Sequence, residues 1–369
     1  MKLKIAFFLL LSTVSILARD VWTKEQANEW IKKLPYLAGV NYVPSTAINS
    51  IEIWREETFD PKTIDEELGL LKSIGMNTVR IFLSDLVWEN DPKGMHLRME
   101  KFLEICEKRD VYVMFTFFTN GGLPEGKWGP QPKPRPNVHN SGWMKTPRLS
   151  VLSDESKWGY LQSYVYETVK KFANHKRVVV WDIFNEPGNV GSAHIAQKKL
   201  SDKVIQHNIE QTKKLMLKAF EWARAANPSQ PITAGVWEAP QWLKNMFEPE
   251  QIKNCDIITY HCYGTLYKHV LIIKELQKYG RPMMCTEWLA RHTGSNFNPI
   301  LEFLKKNNVA SYSFGLKIGK IQTELVWPAL LNSGIPGVND VWFHDIFDKD
   351  NKPYCKEEIE YIKRVLSEK

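Results

Sequence analysis

The chain alternates short apolar runs with longer amphipathic stretches from about residue 35 onward. Eight of the apolar runs are rich in Val, Ile and Phe and almost free of polar interruptions, which is typical of parallel strands buried on both faces. The predicted strands are Leu37–Tyr42, Thr78–Leu83, Val111–Phe117, Val178–Phe184, Ile232–Val236, Ile257–Cys262, Met283–Thr286 and Ala310–Phe314. Strands of this kind indicate a sheet that is covered by other elements on both sides.

Segments with helical periodicity lie between the predicted strands. The first begins at Asp60-Pro61, a capping residue followed by a proline suited to a first helical turn, and it ends at Gly75. Further helices are predicted at Trp158–Phe172, Val204–Ala226, Tyr267–Tyr279 and Asn298–Lys306. Strands that alternate with helices in this way predict a single α/β domain folded as a (β/α)8 TIM barrel. An open, doubly wound parallel sheet is the alternative architecture.

Two connections are much longer than a minimal barrel loop. Residues 119–150 follow the third strand and carry closely spaced prolines, which exclude a helix there. Residues 316–341 follow the eighth strand. In a barrel both loops project from the C-terminal face, where active sites are built. In the first loop, His139, Asn140 and Trp143 are therefore expected to contact a ligand, with Trp143 stacking on it.

The N-terminus has the features of a secretory signal. Residues 1–4 carry two lysines, residues 5–17 are almost wholly apolar, and Ala18 offers a small residue for cleavage. The apolar stretch is too short for a stable membrane anchor. We expect residues 1–18 to be a signal peptide and residues 19–369 to form one secreted or periplasmic domain, a monomer outside the membrane. A buried first helix is the alternative.

Composition narrows the classes of partner. The chain carries 49 Lys and Arg against 42 Asp and Glu, a formal net charge of +7, but the basic residues are dispersed among acidic ones. This dispersal argues against a nucleic-acid partner. The five cysteines show no CxxC or Cys/His spacing typical of zinc and are expected to be mostly buried thiols. No glycine-rich phosphate loop or dinucleotide fingerprint is present, so no cofactor or metal is expected.

Carboxylates stand at the ends of two predicted strands. The fourth strand runs into Asn185-Glu186-Pro187, and the seventh ends in Thr286-Glu287-Trp288. Either motif alone is weak, but the two strand ends meet at the mouth of one barrel. A retaining glycosidase needs such a pair, one carboxyl to protonate the leaving oxygen and one to attack the anomeric carbon about 5–5.5 Å away. The pair predicts this chemistry for Glu186 and Glu287.

These motifs resemble clan A of the glycoside hydrolases, and within it the cellulase-like, family 5-type bacterial enzymes. The resemblance extends over nearly the whole mature chain and includes residues 39–42, 77–82, 138–143, 181–187, 261–263, 285–288 and 342–345. It implies a (β/α)8 enzyme that hydrolyses β-glycosidic bonds with retention in a plant- or algal-type oligo- or polysaccharide, such as a mannan, glucan or xylan. It also implies Glu186 as the acid/base and Glu287 as the nucleophile.

The resemblance implies further site residues. Asn185 would bind the sugar 2-hydroxyl, and Arg80, His261 and Tyr263 would surround the nucleophile. The residues themselves agree with this, because Arg80 is flanked by apolar residues and is suited to hold Glu287 ionised. His261 and Tyr263 have the same parity along one strand, so both are expected to point into the barrel.

One position departs from the family pattern. The family places a tryptophan at the end of the eighth strand, beside the scissile bond, whereas this chain has Phe314 there. Trp327 is the alternative platform for a sugar. Trp237, at the end of the fifth strand, is a further candidate substrate-binding residue, and Glu238 follows it.

Two rival functions remain open on the sequence. A non-catalytic carbohydrate-binding barrel would keep the aromatic residues and lose a glutamate. A metal-dependent barrel hydrolase would need three or four His, Asp or Glu ligands at strand ends, where His261 is the sole histidine we place. The competing carboxylates are Asp85, Asp182 and Glu238, of which Asp182, inside the fourth strand, is expected to make structural hydrogen bonds.

Overall fold

The computed structural model describes residues 18–189, 201–237, 248–331, 334, 336–338 and 340–368. The predicted leader, apart from Ala18, and Glu238 lie outside these ranges. Within the described part of the chain, no helix combines the length and the apolar character needed to cross a membrane.

Eight parallel strands form one sheet, in the order β5-β4-β3-β2-β1-β8-β7-β6. They are β1 (Ala38–Asn41), β2 (Thr78–Phe82), β3 (Tyr112–Thr119), β4 (Val178–Asn185), β5 (Ile232–Thr233), β6 (Ile258–His261), β7 (Met283–Trp288) and β8 (Val309–Phe314). The first strand pairs with the last, with Asn41 opposite Phe314. A parallel bridge between Val236 and Tyr260 joins the two ends of the sheet. This closure confirms the (β/α)8 barrel, because an open doubly wound sheet keeps two free edges.

All five predicted helices are present, with bounds that differ by about three residues at most. The described α-helices are α1 (Lys24–Ile31), α2 (Ser50–Trp54), α3 (Pro61–Ser73), α4 (Asp85–Asn90), α5 (Pro92–Arg109), α6 (Leu149–Leu152), α7 (Gly159–Lys171), α8 (Asp202–Ala225), α9 (Glu248–Asn254), α10 (Leu266–Leu276), α11 (Phe297–Lys306), α12 (Pro328–Leu331) and α13 (Lys356–Ser367).

The long helix α5 is absent from the predicted elements, although its start has the same signal as α3. Asp91 caps it through the Gly94 backbone N–H at 2.9 Å, and Pro92 occupies the first turn. Its buried face is formed by side chains at spacings of four and three, including Met95, Met99 and Phe102. A capping residue followed by proline, as at Asp60-Pro61, was therefore enough to find it.

The sheet separates an apolar outer layer from a barrel interior that also holds charged side chains. On β4, Trp181 stacks on Phe115 of β3 with ring centroids 5.7 Å apart, in the layer between strands and helices. The next residue, Asp182, points the other way and pairs with Arg80 of β2 inside the barrel. This alternation is the ordinary period of a strand. It places charged side chains in the barrel interior, below the mouth.

The two long loops pack on each other beyond the C-terminal ends of β3 and β8. The backbone N–H of Asn140 donates to the carbonyl of Ile321 at 2.9 Å, and the amide of Gln322 donates to the carbonyl of Val138 at 3.1 Å. A hydrogen-bonded bridge between Thr119 and Thr146 closes the base of the first loop. Both loops are therefore parts of one structure at the mouth.

The five cysteines form no disulfide. Cys355 is half-buried, and the other four are buried, as predicted for most of them. Burial raises the pKa of the Cys106 thiol well above its ordinary value, so this side chain behaves as a small apolar group.

Candidate active site

Glu287 lies near the C-terminal end of β7, in the barrel mouth, with 6% of its surface exposed. Its Oε1 accepts a hydrogen bond from Arg80 Nη1 at 2.9 Å, and its Oε2 accepts one from the Tyr263 hydroxyl at 2.8 Å. Burial, followed by the charge of Glu287, raises the pKa of the Tyr263 hydroxyl well above its ordinary value, so this group remains a proton donor. Two donors, one of them a cation, thus face the carboxylate.

Arg80, on β2, is the buried centre of the network. Its Nε and Nη2 donate to Asp182 Oδ2 at 2.9 and 2.6 Å, and Nη2 also donates to Asn185 Oδ1 at 2.6 Å. Its Nη1 donates to Asn41 Oδ1 at 2.7 Å as well as to Glu287. Burial opposes the charge on Arg80, but the two carboxylates hold its pKa above its ordinary value. One guanidinium from β2 therefore orients groups on β1, β4 and β7.

Glu186 directly follows β4 and has a φ of 49°. This value lies in the left-handed region, which residues other than glycine seldom adopt. Its Oε1 lies 2.6 Å from Nδ1 of His261, and its Oε2 accepts a hydrogen bond from the Asn189 amide at 2.8 Å. Within the described ranges, no Lys or Arg nitrogen lies within 4 Å of this carboxylate. Glu186 thus lacks the guanidinium partner that Glu287 has.

The separation of the two glutamates is short. His261 lies between them, with Nδ1 2.6 Å from Glu186 Oε1 and 3.5 Å from Glu287 Oε2. The nearest ligand atoms of the three residues all lie within 4.8 Å of one another. This resembles the spacing of about 5–5.5 Å between the carboxyl groups of retaining glycosidases, and not the spacing of about 6.5–9.5 Å in inverting ones.

The same three side chains, Glu186, His261 and Glu287, are close enough together to hold a metal ion. Their contacts favour a proton-transfer site instead. His261 Nδ1 is already within hydrogen-bond distance of Glu186, and both oxygens of Glu287 are occupied by donors. The Arg80 guanidinium, 2.9 Å from Glu287, also repels a second cation at this place.

Aromatic side chains from the β6 and β8 loops form one wall beside Glu287. Tyr263 meets Trp327 edge to face at 5.4 Å, and His344 lies 5.5 Å from Tyr263 and 5.1 Å from Phe314. Phe314 is half-buried at the end of β8, where the family usually has a tryptophan. Phe314, His344 and Trp327 together therefore occupy the region that a single large ring was expected to fill.

Trp143 requires a correction. We expected its ring to stack on a sugar, but its side chain is only 6% exposed. The ring packs edge to face on Phe82 at 5.0 Å and contacts Ile321, while Phe82 lies 4.9 Å beneath the Arg80 guanidinium. Packing on both sides leaves little ring surface for a ligand. Trp143 supports the network around Arg80 from outside the barrel mouth.

His139 and Asn140 hold the two long loops together, and their contact with a ligand remains a prediction. His139 Nδ1 donates to the Leu325 carbonyl at 2.7 Å, and burial lowers the pKa of its imidazole to about 4. The Asn140 side-chain oxygen is buried and has no hydrogen-bond partner among the described residues. Trp237 is half-buried after β5, and its contact with a substrate remains a prediction.

The two competing carboxylates within the described residues, Asp85 and Asp182, have structural partners. Asp182 binds Arg80 and accepts a hydrogen bond from the Thr116 hydroxyl at 3.2 Å. Asp85 begins helix α4 and accepts a hydrogen bond from the Tyr160 hydroxyl at 2.7 Å. Burial raises the pKa of Asp85 to about 6.

Several residues of the site were not predicted. Asn41 binds Arg80 and donates to the Thr286 carbonyl at 2.7 Å. It was not predicted as a site residue, although it lies in residues 39–42, one of the motifs that carry the resemblance. Asn120 is buried beside the Glu186 backbone, and the buried Lys145 contacts Asn120. Asn120 had a signal, since it is a polar residue directly after a strand, but nothing in the pattern of the loop distinguished Lys145.

Comparisons with known proteins identify the family of the chain. The chain matches the family model described as cellulase (glycosyl hydrolase family 5) over residues 42–314. No curated protein matches the chain. The solved structures of similar fold include the exo-β-1,4-mannosidase Op5Man5 from Opitutaceae bacterium strain TAV5, with a TM-score of 0.57 and 17% identity over 90% of this chain. The match spans 59% of the length of that protein.

Two animal enzymes have the same fold. The β-1,4-mannanase from the common sea hare Aplysia kurodai has a TM-score of 0.51 and 17% identity, covering 76% of this chain and 87% of its own. The β-mannanase from the blue mussel Mytilus edulis has a TM-score of 0.52 and 14% identity, covering 90% and 92%. Because the family model matches well over half of the chain and spans both glutamates, this protein belongs to glycosyl hydrolase family 5 and is a glycoside hydrolase.

Proposed function

We propose that the protein hydrolyses a β-linked oligo- or polysaccharide by double displacement, with retention at the anomeric carbon. The observation that carries this proposal is the short separation of Glu186 and Glu287 across His261. At this separation one carboxyl can reach the anomeric carbon while the other reaches the glycosidic oxygen. The space for a water that attacks directly, which an inverting enzyme needs, is missing between them.

The contacts of the two glutamates support different roles. Glu287 faces the Arg80 guanidinium and the Tyr263 hydroxyl, which favour a carboxylate ready to attack as the nucleophile. Glu186 faces an imidazole and an amide, neither of which carries a fixed charge, so its proton can leave and return. We therefore assign Glu287 as the nucleophile and Glu186 as the acid/base.

The reaction then has two steps. Glu287 attacks the anomeric carbon while Glu186 gives its proton to the leaving oxygen, and the sugar becomes bound to Glu287 as an ester. Glu186 next takes a proton from a water that attacks the same carbon and releases Glu287. His261, 2.6 Å from Glu186, orients this carboxyl in both steps, since the Nε2 side of its ring is buried beside Gly235.

The substrate class is a neutral β-linked polymer such as a mannan, a glucan or a xylan. We place β-mannan first, because the solved structures of similar fold include mannosidases and mannanases. Phe314 and Trp327, both half-buried in the aromatic wall, offer ring faces for a sugar. A screen of the purified enzyme on mannan, glucan and xylan, with the first product anomer followed by NMR, tests substrate and stereochemistry together.

The roles of the two glutamates are tested by paired substitutions. We expect Glu287→Ala to abolish turnover of every substrate. We expect Glu186→Ala to keep the first step on substrates with good leaving groups, and added azide to rescue the second step and give a β-glycosyl azide. Asp85→Asn is the matched control, a buried carboxyl outside the site, and it should keep wild-type turnover.

Two results would contradict the proposal. Early formation of the α-anomer from a β-linked substrate would exclude double displacement. If azide rescued Glu287→Ala with an α-glycosyl azide and had no effect on Glu186→Ala, the two roles would be exchanged.

A further inference from the structure

Lys145 is a buried lysine in the long loop after β3, with 2% of its surface exposed. Its backbone N–H donates to the Leu123 carbonyl at 2.9 Å. The next residue, Thr146, pairs with Thr119 in an antiparallel bridge, with hydrogen bonds of 2.7 and 3.1 Å. The main chain therefore holds Lys145 in place on both sides and directs its side chain inward.

The ammonium of Lys145 donates to the side-chain oxygen of Asn120. Among the described residues, no carboxylate lies within 4 Å of it to form an ion pair. Burial also lowers the pKa of this ammonium to about 7. A buried cation with a neutral partner costs free energy of folding, so its presence here calls for a role other than stability.

Asn120 transmits this contact to the main chain around Glu186. Its Nδ2 donates to the Pro187 carbonyl at 2.9 Å and lies 3.5 Å from the Glu186 carbonyl. Asn120 is itself 1% exposed, so water does not compete for these groups. Glu186 has its φ of 49° at this point, a conformation that surrounding contacts have to maintain.

We propose that Lys145 and Asn120 form a positioning pair that holds the Glu186 main chain in its left-handed conformation and so aims the Glu186 carboxyl at the leaving oxygen. Lys145 fixes the orientation of the Asn120 amide, and Asn120 fixes the backbone carbonyls of Glu186 and Pro187. The pair couples the long loop after β3 to the proton-transfer step. This inference rests on the acid/base role proposed for Glu186.

The test uses two aryl glycosides of the preferred sugar that differ in the leaving group. A dinitrophenyl glycoside needs no proton to depart, whereas a phenyl glycoside does. General acid catalysis contributes about a hundredfold or more to the rate, so a misplaced Glu186 carboxyl should slow only the reaction of the phenyl glycoside. We expect Lys145→Met to lower kcat/KM at least about tenfold on the phenyl glycoside and less than about twofold on the dinitrophenyl glycoside.

A second variant covers the case in which Lys145→Met does not fold. Asn120→Asp gives Lys145 a carboxylate partner but removes the amide donor to the Pro187 carbonyl, so it should show the same dependence on the leaving group. Lys108→Met is the control, an exposed lysine on α5 that pairs with Asp65, and it should leave both rates unchanged.

Several outcomes overturn the inference. Equal losses on the two glycosides would place Lys145 in the binding of the sugar itself or in the fold. Wild-type rates for Lys145→Met, or a wild-type leaving-group dependence for Asn120→Asp, would show that Glu186 is positioned without the pair. These results differ from a failure of the proposed function, in which the wild-type enzyme shows no retaining activity or Glu186→Ala shows no azide rescue.

Discussion

Replacing Arg80 by Met tests the central network most directly. The variant keeps an apolar chain of similar length but removes the guanidinium, which makes two hydrogen bonds to Asp182 and one each to Glu287, Asn185 and Asn41. Removal of one partner of a buried ion pair costs about 3–5 kcal/mol, because the other charge remains buried without compensation. Here two carboxylates lose their cation, so we expect a loss of free energy of unfolding at the upper end of that range.

Activity should fall for a separate reason. Without Arg80, the Glu287 carboxylate loses the hydrogen bond from the guanidinium and keeps the one from the Tyr263 hydroxyl. We expect kcat/KM to fall about a hundredfold or more, because Glu287 loses the contact that holds its carboxylate in position for attack.

A double variant separates the two effects. Arg80→Met with Asp182→Asn removes the second uncompensated charge, so urea unfolding should recover at least about 2 kcal/mol relative to Arg80→Met alone. The activity should not recover, because Glu287 still has no cation. If Arg80→Met were as stable as the wild type, or if the double variant recovered its activity, the network would not act as described.

Two smaller predictions concern other groups. Burial, followed by the nearby Glu324 charge, raises the pKa of Asp345 to about 7, whereas an unfolded Asp has a pKa of about 3.9. The folded form of this group therefore binds its proton more tightly, and its cost to stability grows as the pH rises from about 4 to about 7. Asp345→Asn can keep the contact with Thr323. Its free energy of unfolding in urea, relative to the wild type, should therefore increase by up to about 4 kcal/mol between pH 4 and pH 8. A difference that does not depend on pH would contradict this. Gly235→Ala would place a methyl group 3.1 Å from His261 Nε2. Because His261 orients Glu186, we expect a severalfold lower kcat at unchanged melting temperature. An unchanged kcat would show that the His261 ring is free to shift.

The sequence by itself determined the elements of the barrel and the position of its carboxylates. Each strand is a local run of apolar residues, and each helix has a local period and cap, so neighbouring residues carry the whole signal. Glu186 and Glu287 stand where two such strands end, and parallel strands of a barrel all end at one face. The meeting of these two residues therefore followed from the pattern and the family resemblance before any distance was known.

Only the tertiary structure decided how the site is held together. The partners of Arg80 lie 39, 102, 105 and 207 residues away along the chain, and those bonds depend on closure of the sheet. The same holds for the long loops, which have no period to show which side chains turn inward. Trp143 was expected to stack on a sugar near the barrel mouth and is buried against Phe82, while Lys145, two residues later, gave no signal and contacts Asn120, which binds the main chain next to Glu186. The physical reason is that a strand period sets the side of the sheet on which a residue lies, whereas burial in a loop depends on the distant segment that packs over it.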